Sequence, residues 1–166
     1  GDAFAKYNIK FGFSVGPSSG SHSIVGPIID YHAKVIVLEN AYKMVDTQPN
    51  KGIFDFTDAN KIITFGNESN IDVFGHGISW TLFNHTWVYE IPNSELAYEL
   101  DKHVRTVCSH YQNINNMDVA NEAYAGGSRD STPKEDTLMA GPWQPLGEDY
   151  INISFNSCKD VTNLKV

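Results

Sequence analysis

Strand and helix alternate four times along this chain, and its apolar strands run directly into amides, carboxylates and aromatic rings. The first observation predicts an α/β fold on a parallel sheet with right-handed crossovers. The second predicts that function sits at the carboxyl ends of the strands, as in a barrel whose buried strands deliver side chains to one rim. Size gives the third constraint. A (β/α)8 TIM barrel needs roughly 250 residues. The 166 residues here, with four strand–helix units and a fifth strand begun, make about half of one.

Each element has its own signal. Residues 9–15 alternate and read as the first strand, and Gly16-Pro-Ser-Ser-Gly-Ser21 is a loop by composition. Residues 24–31 form a short helix candidate interrupted by Gly26-Pro27. Residues 35–38 are the second strand, and Pro49-Asn-Lys-Gly52 marks a turn. Thr57 is placed to cap a helix with Ala59, Ile62, Ile63 and Gly66 on one face. Residues 71–79 are the third strand. Asn93 or Ser94 caps the clearest helix, whose buried stripe is Leu96, Leu100, Val104, Val107, Cys108 and Tyr111. Residues 116–120 are the fourth strand. The loop 124–145 is rich in Gly, Ser, Pro and charge, and loops of that length are functional or mobile. Gly147-Glu-Asp149 opens a last helix with Tyr150, Ile151, Phe155 and Cys158 inward, although its Asn and Ser content is poor for a helix. Residues 164–166 begin a fifth strand.

Composition narrows the function classes. Hydrophobic residues at 41% and aromatic residues at 12% predict a packed core. A net charge of −8 opposes a polyanionic partner, so nucleic acid is excluded, whereas neutral polysaccharide meets no such barrier. No apolar run approaches the roughly 20 residues of a membrane span, and the start at Gly1-Asp2 reads as mature, without a signal peptide. Cys108 and Cys158 lie in separate helical patterns and are read as small core residues, neither a disulfide framework nor a metal site. His22, His32, His85, His103 and His110 lack metal-ligand spacing. The Asn-X-Ser/Thr triplets at Asn67, Asn84 and Asn152 would matter only on a eukaryotic secretory route.

The strand ends carry the chemistry. Val35-Ile-Val-Leu38 is followed by Glu39-Asn40, the third strand by Gly75-His76-Gly-Ile-Ser-Trp80, and the fourth by Asn121-Glu122. Two carboxyls are what glycoside hydrolysis requires. The acid of the pair needs a raised pKa, which burial or a neighbouring carboxylate supplies. Read from residues alone, Glu122 is either that acid or a solvated loop glutamate. Glu39 is the only other acid at a strand end, so Glu39 with Glu122 is one possible catalytic pair. Lys43 is a surface lysine or a sugar ligand, and His76 a core histidine or a site residue. Trp80 can be core and stacking platform at once, because both use the same apolar face. Trp87 and Trp143 are read as wall or packing residues, and Asp72 as a strand residue on a polar layer without catalytic role.

Five motifs in order make the chain resemble glycoside hydrolase family 10, the endo-β-1,4-xylanases. They are Phe11-Gly-Phe-Ser-Val15; Glu39-Asn-Ala-Tyr-Lys-Met44 followed by Gly52-X-Phe54-X-Phe56-X-Asp58-Ala59; Gly75-His76-X-X-X-Trp80; Asp118-Val-X-Asn-Glu-Ala123; and Trp143 with Leu146-Gly-Glu-Asp-Tyr-Ile151. The resemblance implies that residues 1–166 are the amino-terminal half of a catalytic (β/α)8 barrel. It implies retaining hydrolysis of β-1,4-xylan without metal or cofactor, in a secreted, periplasmic or cell-surface protein. It implies Glu122 as general acid/base and Asn121 as the ligand of the sugar 2-hydroxyl. Glu39, Asn40 and Lys43 are implied as ligands of the non-reducing side, and His76 and Trp80 as the wall beside the reacting ring. That role for Glu39 argues against pairing it catalytically with Glu122. The nucleophile, a Glu of the seventh strand in the family, lies outside this chain.

Three residues depart from the family pattern. Thr81 and Phe83 replace a His and a Gln that face glycone sugars, so both are expected to reshape that side, and Met117 replaces a Trp as a packing change. The implied partners are xylan or xylo-oligosaccharide and the missing carboxyl-terminal half-barrel, from the same gene, a separate chain or a second copy. The alternatives to a xylanase half are a non-catalytic carbohydrate-binding half-barrel and one half of a two-chain assembly.

Overall fold

The computed structural model describes residues 6–112, 114, 116–125 and 137–162. In chain order the elements are β1 (Gly12–Val15), α1 (Val25–His32), β2 (Val35–Leu38), α2 (Met44–Thr47), α3 (Thr57–Glu68) and β3 (Asp72–Gly75). There follow β4 (Ser79–Trp80), α4 (Thr86–Glu90), α5 (Asn93–His110), β5 (Asn116–Met117), β6 (Ala120–Asn121), a 3-10 turn at Gln144–Leu146 and α6 (Asp149–Val161). The main sheet is parallel throughout, in the order β1-β2-β3-β5, and a short parallel pair β4-β6 extends it. Strands adjacent in sequence are adjacent in space, as helix-bearing crossovers require.

Register divides the sheet into two faces. Gly12, Ser14 and Val15 pair with Val35, Val37 and Leu38, and Ile36 and Val37 pair with Val73 and Phe74. With a side-chain period of two, Val15, Ile36, Leu38 and Val73 share the helix-facing side, where Ile36 and Leu38 are wholly buried. A Cβ on Gly66 of α3 would lie against Val73 and Ile36, which fixes that helix on this face. Each such fully buried aliphatic residue contributes roughly 1.5–3 kcal/mol by leaving water. The opposite face, with Val35, Val37 and Phe74, is only half-buried.

The helix stripes follow the sequence pattern. Leu96, Leu100, Val104, Val107 and Cys108 are buried on α5, and Tyr150 and Cys158 on α6. Phe155 is not inward; it is exposed. The two cysteines are a correction as well. Cys108 and Cys158 form a disulfide joining α5 to α6. Sequence could not show that these helices pack side by side. Closing a loop with a sequence separation of 50 stabilises a domain by about 2–4 kcal/mol.

The helix starts also differ from expectation. Pro92, not Asn93 or Ser94, is the cap of α5, and no side chain caps it. Thr57 is already helical, with Phe56 at the cap position, and the Asp55 carboxylate accepts from the Thr57 amide at 2.8 Å. Pro27 does not interrupt α1, because in the first helical turn its missing N–H is not needed. Asp72 opens β3 and is exposed beside Lys10, not set on a polar layer. The beginning of a fifth strand at 164–166 lies outside the described residues, as does much of the loop 124–145.

The third and fourth strands are each broken in two. Gly77 at φ 77°, a conformation open to glycine, separates β3 from β4. Pairing continues across the break: Asp118 N donates to Gly75 O at 2.9 Å, Ile78 N to Asp118 O at 3.2 Å, and Ser79 N to Val119 O at 3.0 Å.

Candidate active site

Three strand ends build the rim. Glu39 and Asn40 follow β2 and are exposed. The Asn40 carbonyl accepts from Lys43 N at 2.8 Å in a tight turn, and the Asn40 Oδ1 accepts from Lys43 Nζ at 2.8 Å. Lys43 itself is buried, with Nζ 4.7 Å from the Trp80 ring centroid and 4.2 Å from that of Phe83. A Cβ on Gly77 would stand at ordinary contact distance, 3.6 Å from Lys43 Cγ and 3.9 Å from Trp80 Cε3, so the φ of 77°, not space, favours glycine here.

The β4–β6 register pairs Ser79 with Ala120 and Trp80 with Asn121, so the indole and the amide are direct neighbours. Glu122 is the next residue, exposed, with its backbone at φ 45°. That left-handed conformation is uncommon for a residue with a Cβ and stores strain of the order of 1–3 kcal/mol, a cost that clusters at functional sites. His76 Nδ1 lies 2.8 Å from Asp118 Oδ2, and the His76 ring lies 6.2 Å from that of Trp80. Asp118 thus orients the histidine. The sequence marked it only as part of a motif, since the partner is 42 residues away.

The rim is braced from behind. Trp80 O accepts from Asn84 Nδ2 at 2.8 Å and from Trp143 Nε1 at 3.0 Å. Trp143 is therefore a buried packing residue, as read from sequence. Trp87 Nε1 donates to Gln48 O at 3.1 Å. Of the two departures at the third strand, Thr81 is buried against Gly141, where an added Cβ would come within 2.7 Å of Thr81 Cβ. Phe83, by contrast, is half exposed and stacked on Trp80 at 5.0 Å and 20°.

Buried His103 of α5 ties the two arms of the rim together. Its Nε2 is 3.1 Å from Ile78 O and its Nδ1 2.8 Å from Gln48 Oε1. Both oxygens can only accept and a neutral ring has one N–H, so with that proton on Nε2 the Gln48 amide turns its own Nε2, otherwise unpartnered, toward Nδ1. Burial lowers the His103 pKa from 6.5 to about 4, the Ile78 carbonyl opposing part of the shift. Between those two values the unfolded chain binds a proton that the folded chain refuses. Stability from this group is therefore full above pH 6.5 and falls as pH drops to about 4, a loss of about 3 kcal/mol. Urea melts of a complete barrel carrying this chain should show that slope, and His103→Gln should flatten it. An unchanged slope would remove His103 as its source.

Among the described residues no group of His, Cys, Asp and Glu could hold a metal ion, and no helix is long and apolar enough to cross a membrane.

Parallel strands that gather Glu, Asn, His and Trp at their carboxyl ends place them where (β/α)8 barrels carry their active sites. The family profile for glycosyl hydrolase family 10 matches residues 1–165, and the chain belongs to that family. It is 25% identical over 171 residues to endo-1,4-beta-xylanase A of Halalkalibacterium halodurans, which takes in 89% of this chain and 41% of that protein. To the beta-1,4-xylanase of Dictyoglomus thermophilum it is 28% identical over 130 residues, 77% of this chain and 35% of that protein. A solved psychrophilic glycoside hydrolase family 10 endo-beta-1,4-xylanase superposes with a TM-score of 0.85 at 27% identity, over 96% of this chain and 52% of its own. The chain thus spans about half the length of that solved relative and less than half of the two xylanases. The family fold is a (β/α)8 barrel, and the described residues form an open, parallel part of it.

Proposed function

We propose that this chain is the amino-terminal half of an endo-1,4-β-xylanase that hydrolyses β-1,4-xylan with retention, with Glu122 as general acid/base. The observation that carries this reading is the Trp80–Asn121 register with Glu122 immediately beyond it at a strand end, in a chain of family 10. In the first step the Glu122 carboxyl gives its proton to the glycosidic oxygen while a carboxylate from outside this chain attacks the anomeric carbon. In the second step the Glu122 carboxylate takes a proton from the water that displaces that carboxylate. Asn121 holds the 2-hydroxyl of the reacting sugar. Glu39 and Asn40 bind the glycone, with Lys43 on the same side, and His76 and Trp80 wall the reacting ring.

The likeness of Glu39-Asn40 to the family's sugar-binding motif supports a nucleophile other than Glu39. Glu39 follows β2 and Glu122 follows β6, with the β3–β4 segment between them. In retaining enzymes the two carboxyl groups stand about 5–5.5 Å apart, whereas about 6.5–9.5 Å suits inversion. Proton NMR of the product first released from xylo-oligosaccharide by a complete barrel should show the β-anomer. An initial α-anomer would overturn retention and return Glu39 as the partner base. Export from the cell is part of the proposal, supported by the Cys108–Cys158 disulfide, since such bonds persist chiefly in oxidising compartments.

A further inference from the structure

The disulfide between α5 and α6 lies against the strand that leads to the acid/base. Cys108 and Cys158 are both fully buried, and Cys158 Sγ is 3.7 Å from Met117 Sδ on β5. Met117 pairs with Gly75 of β3. A Cβ on Gly75 would come within 3.1 Å of Met117 Cβ and 2.8 Å of Tyr42 Cε1, so glycine at 75 leaves the room that both side chains fill. The thioether is thus held between the bridge and the neighbouring strand. Asp118 follows at once. Its amide donates to Gly75 O at 2.9 Å, and its carboxylate meets His76 Nδ1 at 2.8 Å. Asn121 and Glu122 come next along the same path, where Ser79 Oγ donates to Val119 O at 2.7 Å.

Helix α6 depends on its tether to α5. It is rich in Asn and Ser, which are poor helix formers, and no side chain caps it. Its polar links to α5 are Ser157 Oγ to Asp101 Oδ1 at 2.6 Å and Arg105 to Asp160 at 2.7 Å. The second is an exposed ion pair, and such pairs hold little. The covalent link is the disulfide, and it is buried where Met117 rests on it.

We propose that Met117, seated on the Cys108–Cys158 bridge, is a positioning residue for proton transfer. The buried sulfurs fix where β5 stands against α5 and α6. Through Asp118 and His76 they fix the rim from which Glu122 acts. The proposal rests on the reading of Glu122 as general acid/base. A close-packed interior transmits a shift rather than absorbing it. A displacement of about 1 Å at the reacting groups costs up to about 10²-fold in rate. Methionine suits the position, since its flexible, polarizable thioether fills an irregular gap.

Kinetics of a complete barrel carrying this chain test the proposal. Met117→Ala leaves the bridge in place and removes only the thioether. It should lower kcat on xylan about tenfold or more, with KM changed less than about threefold. An aryl xylobioside with an acidic phenol needs no proton, so its first step should lose less than about threefold. Met117→Leu, close in volume, should bring kcat back to within about threefold of native. Cys108→Ala with Cys158→Ala should reproduce the Met117→Ala pattern. Adding Met117→Ala to that pair should cost little more, because both changes remove the same contact. The His76 Nδ1–H resonance gives a readout free of substrate. Its bond to the Asp118 carboxylate places it far downfield, and it should broaden or move upfield in Met117→Ala and in the cysteine pair. Native kcat in Met117→Ala, equal losses on both substrates, or an unmoved His76 resonance would overturn the proposal. Should the cysteine pair prove too unstable to assay, Met117→Ala decides alone. A native barrel that released no sugar from xylan would overturn the acid/base reading instead, and the His76 resonance would still decide the positioning.

Discussion

In a complete barrel carrying this chain, Glu122→Ala is expected to slow xylan turnover by about 10²–10⁴-fold, the usual contribution of a positioned acid/base. The loss should depend on the leaving group. Xylan leaves as a poor alkoxide and needs the proton. An aryl xylobioside with an acidic phenol does not, so its first step should be far less affected, leaving hydrolysis of the glycosyl-enzyme as the slow step. The backbone at Glu122 gives a control for folding. Its φ of 45° costs any side chain a similar strain, so Glu122→Gln and Glu122→Ala should melt within a few degrees of each other. Equal losses on both substrates would point away from proton transfer.

The second large effect is complete loss of chemistry in the isolated 166-residue polypeptide, together with association. One carboxyl cannot serve both steps of retaining hydrolysis. Among the described residues β1 and β5 each have one strand neighbour, so the far edges present unpaired N–H and C=O groups. Such edges recruit further strands. The face carrying Val35, Val37 and Phe74 is half-buried at best. Beside the β1 edge, α1 leaves Val25, Ile28 and Tyr31 exposed, with Ile24 just before it. An apolar surface of this extent marks an association site. Light scattering should report dimers or larger species, or a stable complex when a carboxyl-terminal half is supplied. A compact monomer that releases reducing sugar from xylan would contradict both this expectation and the location of the nucleophile outside the chain.

What could be read from the sequence was what depends on period. The α5 stripe from Leu96 to Cys108 took its place because apolar spacing alone decides which face is buried, whereas the continuous run Val35-Ile-Val-Leu38 was legible as a strand without saying that Ile36 and Leu38 take the buried face. The rim residues were legible because each follows an apolar strand directly, and the β4–β6 register then set Trp80 beside Asn121. Features decided by contacts between distant segments were not legible. Cys108 and Cys158 looked like two core thiols until α5 and α6 were seen to adjoin. Asp118 gave no sign of its bond to His76, and His103 none of its grip on Gln48 and Ile78. Thr81 and Phe83 lie two residues apart and looked equivalent. Thr81 is buried against Gly141, whereas Phe83, at φ 54°, stays half exposed.

The central claim, that Glu122 is the acid/base and not the nucleophile, is tested most directly by adding azide to Glu122→Ala with an activated aryl xylobioside. Azide is an anion and needs no general base, so it should replace water in attacking the glycosyl-enzyme from the face that Glu122 served. Faster turnover and a β-configured xylobiosyl azide are the expected result. An α-configured azide would show direct attack where the nucleophile had been removed, making Glu122 that nucleophile. No acceleration at all would take Glu122 out of the chemistry.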